Sequence, residues 1–258
     1  MNTPKLIESV GRIPLLSHGL RWCANRYPED SVVRIKTGSA AGLFWKRHHR
    51  YVNGYWIGHY ELPIQEALGR EVGRGDTFFD IGANAGFFTL VAANLVGPSG
   101  RCVAFEPAAD NCASIREQLE LNSLDHAALV PEAISNCEGT ATFAFAAPGS
   151  PMGHLGQGGL HERQIEVKTT TVDAACARFG KPDFIKMDIE GAEISAFAAA
   201  QQTLTEFRPR WLIELHGPDC EREVRGRLSA ANYSFFHIAG DPVPAGTPLP
   251  NHFLARPN

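Results

Sequence analysis

The sequence has no C-x-x-C pair, no long apolar run and no excess of positive charge. Its six cysteines are scattered along the chain, so neither a zinc site nor a redox motif is indicated and reduced thiols are expected. No segment is apolar enough for a signal peptide or a membrane span, which predicts a cytoplasmic protein. The net charge of -4 argues against nucleic acid as a partner, because tight binding to a polyanion needs an excess of lysine and arginine.

The chain does contain enough apolar material, 44% of 258 residues, for one large core. The pattern changes near Gly54, which predicts an N-terminal extension or lid over residues 1–55 and a main domain over residues 56–258. The extension includes the run Trp45–Tyr51, in which basic and aromatic residues are interleaved. Such a run could grip a phosphate or cover a site, but we interpret it as a solvated face of the extension.

From Thr77 onward, short apolar runs alternate with segments of helical periodicity, which is typical of β-α-β units around a largely parallel sheet. The sequence therefore predicts an α/β fold with one doubly wound sheet. Its predicted strands are Thr77–Ile81, Cys102–Phe105, Ala128–Val130, Phe184–Met187 and Trp211–Leu215. The helices predicted between and after them are Phe87–Leu95, Asp110–Asn122, Ala192–Leu204 and Glu221–Asn232.

Two further pairs of strand-like segments predict antiparallel additions to this sheet. An inserted pair, Thr140–Ala146 and Gln164–Thr171, flanks a Gly- and Pro-rich loop at Ala147–Gly159. Nearer the C-terminus, Ser234–Ile238 and His252–Ala255 flank a proline-rich connection and predict a closing hairpin.

A glycine-containing loop with the sequence DIGANAGF, starting at Asp80, lies between the first predicted strand and helix. Gly82 and Gly86 would let a ligand approach the backbone at this sheet edge. A dinucleotide fingerprint is excluded because its second and third glycine positions hold Asn84 and Phe87, and no Lys-Ser/Thr pair completes a P-loop. The pattern D-x-G-x-N-x-G instead matches the first motif of S-adenosylmethionine-dependent methyltransferases, in which Asp80 would help to hold the amino-acid end of the ligand. The alternative is a turn that only caps the next helix.

Glu106 directly follows the second predicted strand and therefore lies at the same sheet edge as the glycine loop. Its carboxylate can accept hydrogen bonds from both hydroxyls of a ribose, which predicts a ribose ligand. The structural alternative is a solvated strand end. The predicted cofactor-binding set also includes Phe87, Pro107, Asn111 and Ala133.

An acidic motif with the sequence KMDIEGAE ends the fourth predicted strand, where the order of the sheet should reverse. We expect Asp188 and Glu190 to face the crevice, and Glu193 to stabilise the start of the next helix. Glu214 and His216 end the fifth strand on one face. Our hypothesis is that Asp188 or His216 is a general base and that Glu190 orients the substrate.

A divalent metal is the variant mechanism for this crevice. The acidic motif and the end of the fifth strand offer oxygen and nitrogen ligands that could hold magnesium or manganese: Asp188, Glu190, Glu214 and His216. No ligand spacing demands a metal, so none is predicted.

Taken together, these motifs resemble the FkbM family of methyltransferases over about Trp56 to Ile238. The resemblance rests on Asp80–Gly86, Glu106-Pro107, Lys186–Glu193 and Ile213–His216. It implies a Rossmann-like methyltransferase sheet and S-adenosylmethionine as donor, with Asp188 among the residues that bind the donor. It also implies O-methylation of a small molecule, natural product or glycan. It also places Glu61, which follows Tyr60, in the cofactor site.

Three other functions stay open from the sequence alone. They are an RNA methyltransferase served by the basic run, an NAD-dependent or nucleotide-sugar oxidoreductase, and a non-catalytic S-adenosylmethionine-binding module. The identity of the methyl acceptor and the oligomeric state cannot be predicted from these patterns.

Overall fold

The structure, a computed structural model, describes residues 27–51, 54–145, 153–156 and 163–258. Most of the predicted loop at 147–159 and the first part of the predicted N-terminal extension lie outside the described residues. In the described part of the chain, no helix combines the length and the apolar character needed to cross a bilayer.

Strands and helices are numbered separately in chain order. The strands are β1 Val32–Arg34, β2 Phe44–Lys46, β3 Thr77–Ile81, β4 Arg101–Phe105, β5 Ala127–Val130, β6 Ala133–Ile134, β7 Gly139–Phe145, β8 Gly153–Leu155, β9 Gln164–Thr170, β10 Phe184–Met187, β11 Arg210–Glu214, β12 Tyr233–His237 and β13 His252–Pro257. The α-helices are α1 Leu62–Glu71, α2 Phe87–Val96, α3 Ala109–Leu121, α4 Val172–Phe179, α5 Glu193–Ala198 and α6 Pro218–Ala230.

The central sheet has seven strands in the order β12-β13-β11-β10-β3-β4-β5. Neighbours from β11 to β5 are parallel, and β13 runs antiparallel to both β11 and β12. The chain moves outward from β3 to β5 and later returns to the other side of β3 at β10. The sheet order therefore reverses between β3 and β10, and the predicted doubly wound sheet with a C-terminal hairpin is confirmed.

Both faces of the central sheet are buried, as the apolar strands require. One face packs against α1, α2 and aromatic residues of the N-terminal segment, and the other packs against α4, α5 and α6. Phe78 of β3 stacks on Phe184 of β10 with the ring centroids 5.6 Å apart. Burial of one such side chain stabilises the fold by about 1.5–3 kcal/mol, so this pair helps to fix the two strands between which the order reverses.

Three features of the helices differ from the predictions. Helices α1 and α4 were not predicted, and Pro63 and Gly69 weaken the helical signal of α1. The predicted helix Ala192–Leu204 is divided, because the Asp173 carboxylate accepts hydrogen bonds from the backbone N–H groups of Gln202 and Thr203 and starts a new turn there. No Gly or Pro marks this break in the sequence.

The inserted pair of strands is confirmed but belongs to a larger sheet. Strands β7 and β9 pair antiparallel, and the full order is β6-β9-β7-β8. Strands β6 and β8 contain only two and three residues, which is too short for an alternating pattern to show.

The N-terminal run Trp45–Tyr51 is only in part a solvated face, so that interpretation is wrong for three of its seven residues. Trp45, Arg47 and Tyr51 are 1%, 6% and 7% exposed. Trp45 packs against Tyr55, and the guanidinium carbon of Arg47 lies 4.2 Å from the centroid of the Tyr27 ring. The aromatic residues of the run are therefore part of the core, whereas a lid function of residues 1–55 stays a prediction.

Candidate active site

A cavity opens at the carboxyl edge of the sheet, where its order reverses, and holds about 590 Å³ of space that is partly open to solvent. Eight of the predicted site residues line it: Gly82, Asn84, Glu106, Pro107, Asn111, Ala133, Asp188 and Glu190. Apolar walls come from residues that were not predicted, namely Phe105, Ile134, Phe143, Leu155 and Ile189. The glycine loop, the predicted ribose ligand and the acidic motif thus share one cavity.

The glycine loop owes its shape to the packing of the chain itself. Gly82, Asn84 and Gly86 have φ values of 81°, 49° and 90°, a region that favours glycine. A Cβ atom on Gly82 would collide with the carbonyl oxygen of Asp188, and one on Gly86 would lie 2.9 Å from Ile115. Glycine is therefore required here by neighbouring protein atoms, a reason that the sequence analysis did not give.

Asp80 lies beneath the cavity and does not line it. The side chain has no exposed surface, and Oδ2 accepts a hydrogen bond of 2.6 Å from the hydroxyl of Thr89. The buried Lys186 Nζ lies 3.7 Å from Asp80 Oδ1 and 3.6 Å from Asp188 Oδ2. Lys186 thus links the glycine loop to the acidic motif, a role that the sequence analysis missed although the residue is part of that motif.

Glu106 is held by backbone groups at the start of α3. Oε1 accepts from Ala108 N and Oε2 accepts from Asn84 N, both at 2.9 Å, and the side chain of Asn111 adds a further hydrogen bond. Burial raises the pKa of Glu106 to about 7, although these hydrogen bonds oppose the shift. A carboxylate has about four acceptor positions, so Glu106 retains capacity for a ligand donor.

His216 lies at the centre of a group of carboxylates. Nδ1 lies 2.9 Å from Glu193 Oε1, and Nε2 lies 3.3 Å from Glu190 Oε2 and 3.9 Å from both Asp188 Oδ1 and Glu214 Oε1. The hydrogen bond to Glu193 is the main reason that the pKa of His216 is raised to about 9. The imidazole is therefore a cation at neutral pH.

The carboxylates around His216 have different environments. Burial raises the pKa of Asp188, while the positive charge of Lys186 opposes the rise. Burial also raises the pKa of Glu190, whose backbone has a left-handed φ of 51°. His252 lies 3.0 Å from Glu214 and holds the pKa of that carboxyl low. His252 was not among the predicted site residues, although it begins a predicted strand and pairs with Glu214 in the sheet.

Besides Asp80, three other predicted cofactor residues do not line the cavity. Glu61 precedes α1 with a φ of 43°. Burial raises its pKa, although the nearby charge of Lys186 opposes the rise. Phe87 is stacked on Tyr55 with the centroids 5.4 Å apart. Gly86 packs against Ile115. Their roles in cofactor binding stay predictions.

Two groups of side chains in the described part of the chain could hold a metal ion. One is Asp188, Glu214 and His216, and the other is Glu29, Asp30 and His48 at the surface. A metal must bind a neutral imidazole nitrogen, whereas His216 carries the proton that its neighbours stabilise. In this structure the first group forms ion pairs around His216, and its use as a metal site stays the alternative.

The residues that line the cavity suit the nucleoside part of S-adenosylmethionine in their chemistry. Glu106 offers an acceptor for hydroxyl donors, and the buried Oδ1 of Asn84 has no hydrogen-bond partner. The apolar walls formed by Ile134 and Leu155 suit a purine ring. Polar acceptors and an apolar wall thus occur together, as a nucleoside site requires.

Residues 80–238 match the family model described as methyltransferase FkbM domain. No curated protein matches the chain. The chain is similar to methyltransferase FkbM from Methylobacillus flagellatus KT, with 17% identity, a TM-score of 0.48, and coverage of 70% of this chain and 43% of that one. The chain thus spans less than half the length of that relative.

Two other solved structures have similarities of the same order. An S-adenosylmethionine-dependent O-methyltransferase from Thermotoga maritima has 13% identity and a TM-score of 0.44, with coverage of 76% of this chain and 64% of that one. An O-methyltransferase from Bacillus cereus, in complex with SAH, has 12% identity and a TM-score of 0.43, with coverage of 76% and 79%.

Proposed function

Because the chain belongs to the FkbM methyltransferase family, we propose that it transfers a methyl group from S-adenosylmethionine to a hydroxyl group of a small molecule, natural product or sugar. One observation carries the proposal. Gly82, Glu106, Asp188 and Glu190 all line the same cavity. Groups suited to a nucleoside and groups suited to a hydroxyl acceptor therefore meet in one place.

Glu106 and Asn84 would hold the donor. The Glu106 carboxylate accepts hydrogen bonds from ribose hydroxyls, and the amide oxygen of Asn84 is a further buried acceptor. When bound there, S-adenosylmethionine supplies an electrophilic methyl group on a positively charged sulfur. Asp80 and Lys186 lie behind the glycine loop and fix its position relative to Asp188.

Asp188 would accept the proton of the acceptor hydroxyl. Burial raises the pKa of Asp188, which strengthens it as a base, while the positive charge of Lys186 opposes the rise. A base within hydrogen-bond reach typically contributes about 10²–10⁴-fold, and correct positioning of the two reacting groups contributes about 7 kcal/mol or more. Glu190 would accept a hydrogen bond from a second hydroxyl and so favour acceptors with several hydroxyl groups.

His216 is the weaker candidate for the base. Its pKa of about 9 means that both ring nitrogens carry a proton at neutral pH, so it cannot accept another from the substrate. We assign it instead as the positive charge that holds Asp188 and Glu190 together at one edge of the cavity.

An RNA acceptor receives little support from the basic run in the N-terminal segment. Lys46 Nζ lies 2.9 Å from Glu117 and 3.3 Å from Asp30, and His48 Nε2 lies 2.8 Å from Glu117. The carboxylates that already pair with these side chains would repel phosphate groups. The same segment therefore does not favour a polyanion.

The test has a binding arm and a transfer arm. Titration calorimetry should show binding of S-adenosylmethionine and of its demethylated product, and no binding of NAD. Tritium from the donor methyl group should then appear in hydroxyl compounds of a panel of sugars and aglycones, and not in transfer or ribosomal RNA. Binding of NAD alone, or label in RNA alone, would overturn the proposal.

A further inference from the structure

A buried chain of hydrogen bonds leads from the N-terminal segment to the cofactor cavity. The hydroxyl of Tyr51 donates to Asn111 Oδ1 at 2.7 Å, and the side chain of Asn111 is hydrogen-bonded to Glu106. All three residues are buried, and Asn111 and Glu106 line the cavity. A residue of the extension thus reaches the predicted ribose ligand through one intermediate side chain.

The direction of these hydrogen bonds follows from their chemistry. An ionised carboxylate can only accept, so Asn111 must present its NH₂ group to Glu106. The amide oxygen of Asn111 is then left for Tyr51, whose hydroxyl must donate. Ser114 also contacts the Tyr51 hydroxyl, while its own hydroxyl donates to Ala85 O at 3.2 Å. Loss of the Tyr51 hydroxyl would remove the group that fixes the orientation of the Asn111 amide.

Contacts along α3 hold the N-terminal segment in place for this interaction. Gln118 pairs with both backbone groups of Lys46, accepting from N at 2.9 Å and donating to O at 2.8 Å. Asn122 does the same with Phe44. These contacts hold strand β2 beside α3. Asn111 lies in the first turn of α3, at the end of the helix that lines the cavity, and Tyr51 contacts it there.

We propose that Tyr51 is a positioning residue of the cofactor site: through the Asn111 amide it holds the Glu106 carboxylate in the orientation that binds ribose hydroxyls. Tyr51 lies outside residues 80–238, the part of the chain that matches the family model. The proposal rests on the proposed function, since it assumes that the donor occupies this cavity.

The pKa of Glu106 depends on the groups around it, so it reports whether the Asn111 amide is held in place. Asp80 raises the pKa of Glu106, and the hydrogen bond from Asn111 lowers it. The other titratable groups that face it are Tyr51 and Cys112, with Arg50 and Arg116 beyond them, and Asp188 and Glu190 across the cavity. If the Asn111 amide is free to turn, the ionised form of Glu106 loses a hydrogen bond and its pKa must rise.

The experiment compares Tyr51→Phe with the wild-type protein by calorimetric titration with S-adenosylhomocysteine across the neutral pH range. We expect the pH midpoint of binding to move upward, and affinity near pH 7 to fall about 2- to 10-fold, the range of one hydrogen bond. At a pH well above the midpoint the two affinities should converge. If the substitution only disturbed the local packing, affinity would be lower at every pH and the midpoint would not change.

Two further variants separate the possible outcomes. Glu117→Gln loosens the N-terminal segment at the other end of α3 and should leave the midpoint unchanged. Tyr51→Phe placed in an Asn111→Ala background should produce no additional shift, because the intermediate side chain is gone. Asn111→Ala alone should reproduce the upward shift even if Tyr51→Phe does not fold.

An unchanged midpoint in folded Tyr51→Phe would overturn the proposal while the wild-type protein still binds the ligand. If Tyr51→Phe does not fold, an unchanged midpoint in Asn111→Ala would overturn it. Absence of binding by the wild-type protein would instead overturn the proposed function. The two failures therefore give different results.

Discussion

The imidazole of His216 and the carboxylate of Glu193 are 2.9 Å apart, and Glu193 has no exposed surface. Glu193 Oε1 also accepts from the backbone N–H groups of Ile189 and Gly191 at 3.3 Å. The carboxylate thus ties the loop of the acidic motif to the end of β11. Glu193 was predicted only to stabilise the start of a helix, and its contact with His216 is an additional role.

Replacement of His216 by Asn should lower stability in a pH-dependent manner. The pKa of His216 is about 9 in the folded protein and 6.5 for an unperturbed histidine of the unfolded chain. Its stabilising effect is therefore fully present below pH 6.5 and is lost as pH rises through about 9. We expect a loss of about 1–3 kcal/mol near pH 6 that shrinks at high pH, measured by urea unfolding. His237→Asn on β12 is the control. An equal loss of stability at pH 6 and at high pH would contradict the raised pKa of His216.

Replacement of Gly82 by Ala should be far more costly than replacement of Gly191. Both glycines have a positive φ, but a Cβ on Gly82 collides with Asp188 O, whereas a Cβ on Gly191 has no atom within 4 Å. Strain alone costs about 1–2 kcal/mol, and the collision adds a further 1–3 kcal/mol. Denaturant unfolding of the two variants measures the difference. Similar stabilities would show that the loop can move away from Asp188.

The strands of the central sheet could be predicted because each is a short apolar run followed by a turn signal. Strands β3 and β10 begin and end at the predicted residues, and the motifs that follow them meet at one cavity. Parallel strands place their carboxyl ends at one edge, so sequence position alone brought Glu106 and Asp188 together.

The contacts that could not be predicted join residues far apart in the chain. Tyr51 and Asn111 are 60 residues apart, and Lys46 and Glu117 are 71 apart. No local periodicity encodes such pairs, so the basic run looked solvated although three of its seven residues are buried. His252 was missed for the same reason, since its partner lies on a neighbouring strand rather than nearby in sequence.

Replacement of Glu106 by Gln should weaken donor binding and abolish its pH dependence. Burial raises the pKa of Glu106 to about 7, so lowering the pH through that value protonates the carboxyl and removes an acceptor for ribose hydroxyls. We expect wild-type affinity to fall as the pH drops, and Glu106→Gln to bind about 10- to 100-fold more weakly at high pH. Calorimetry with S-adenosylhomocysteine checks both, with the exposed Glu138→Gln as control. Wild-type affinity that does not change with pH would argue against this ribose ligand.

Removal of divalent metal should leave methyl transfer unchanged. His216 is protonated at neutral pH by its contact with Glu193, and a protonated imidazole cannot complete a site with Asp188 and Glu214. Turnover after exhaustive chelation should equal turnover with added magnesium or manganese. Activity that is lost on chelation and restored by one of these ions would show that the metal displaces the proton.

Replacement of Asp188 by Asn should lower turnover without an equal loss of donor affinity. The amide fits the same space but cannot take a proton from the acceptor, so kcat should fall by about 10²- to 10⁴-fold. The proposed ribose ligand is Glu106 rather than Asp188, so the affinity for the donor should change only a few-fold. Asp219→Asn, at a highly exposed position on α6, is the control for loss of a carboxylate. Under the same assignment, His216→Ala should act through Asp188 and reduce turnover less than Asp188→Asn does. If both variants keep full turnover on the true acceptor, the proton must leave by another route and neither residue is the base.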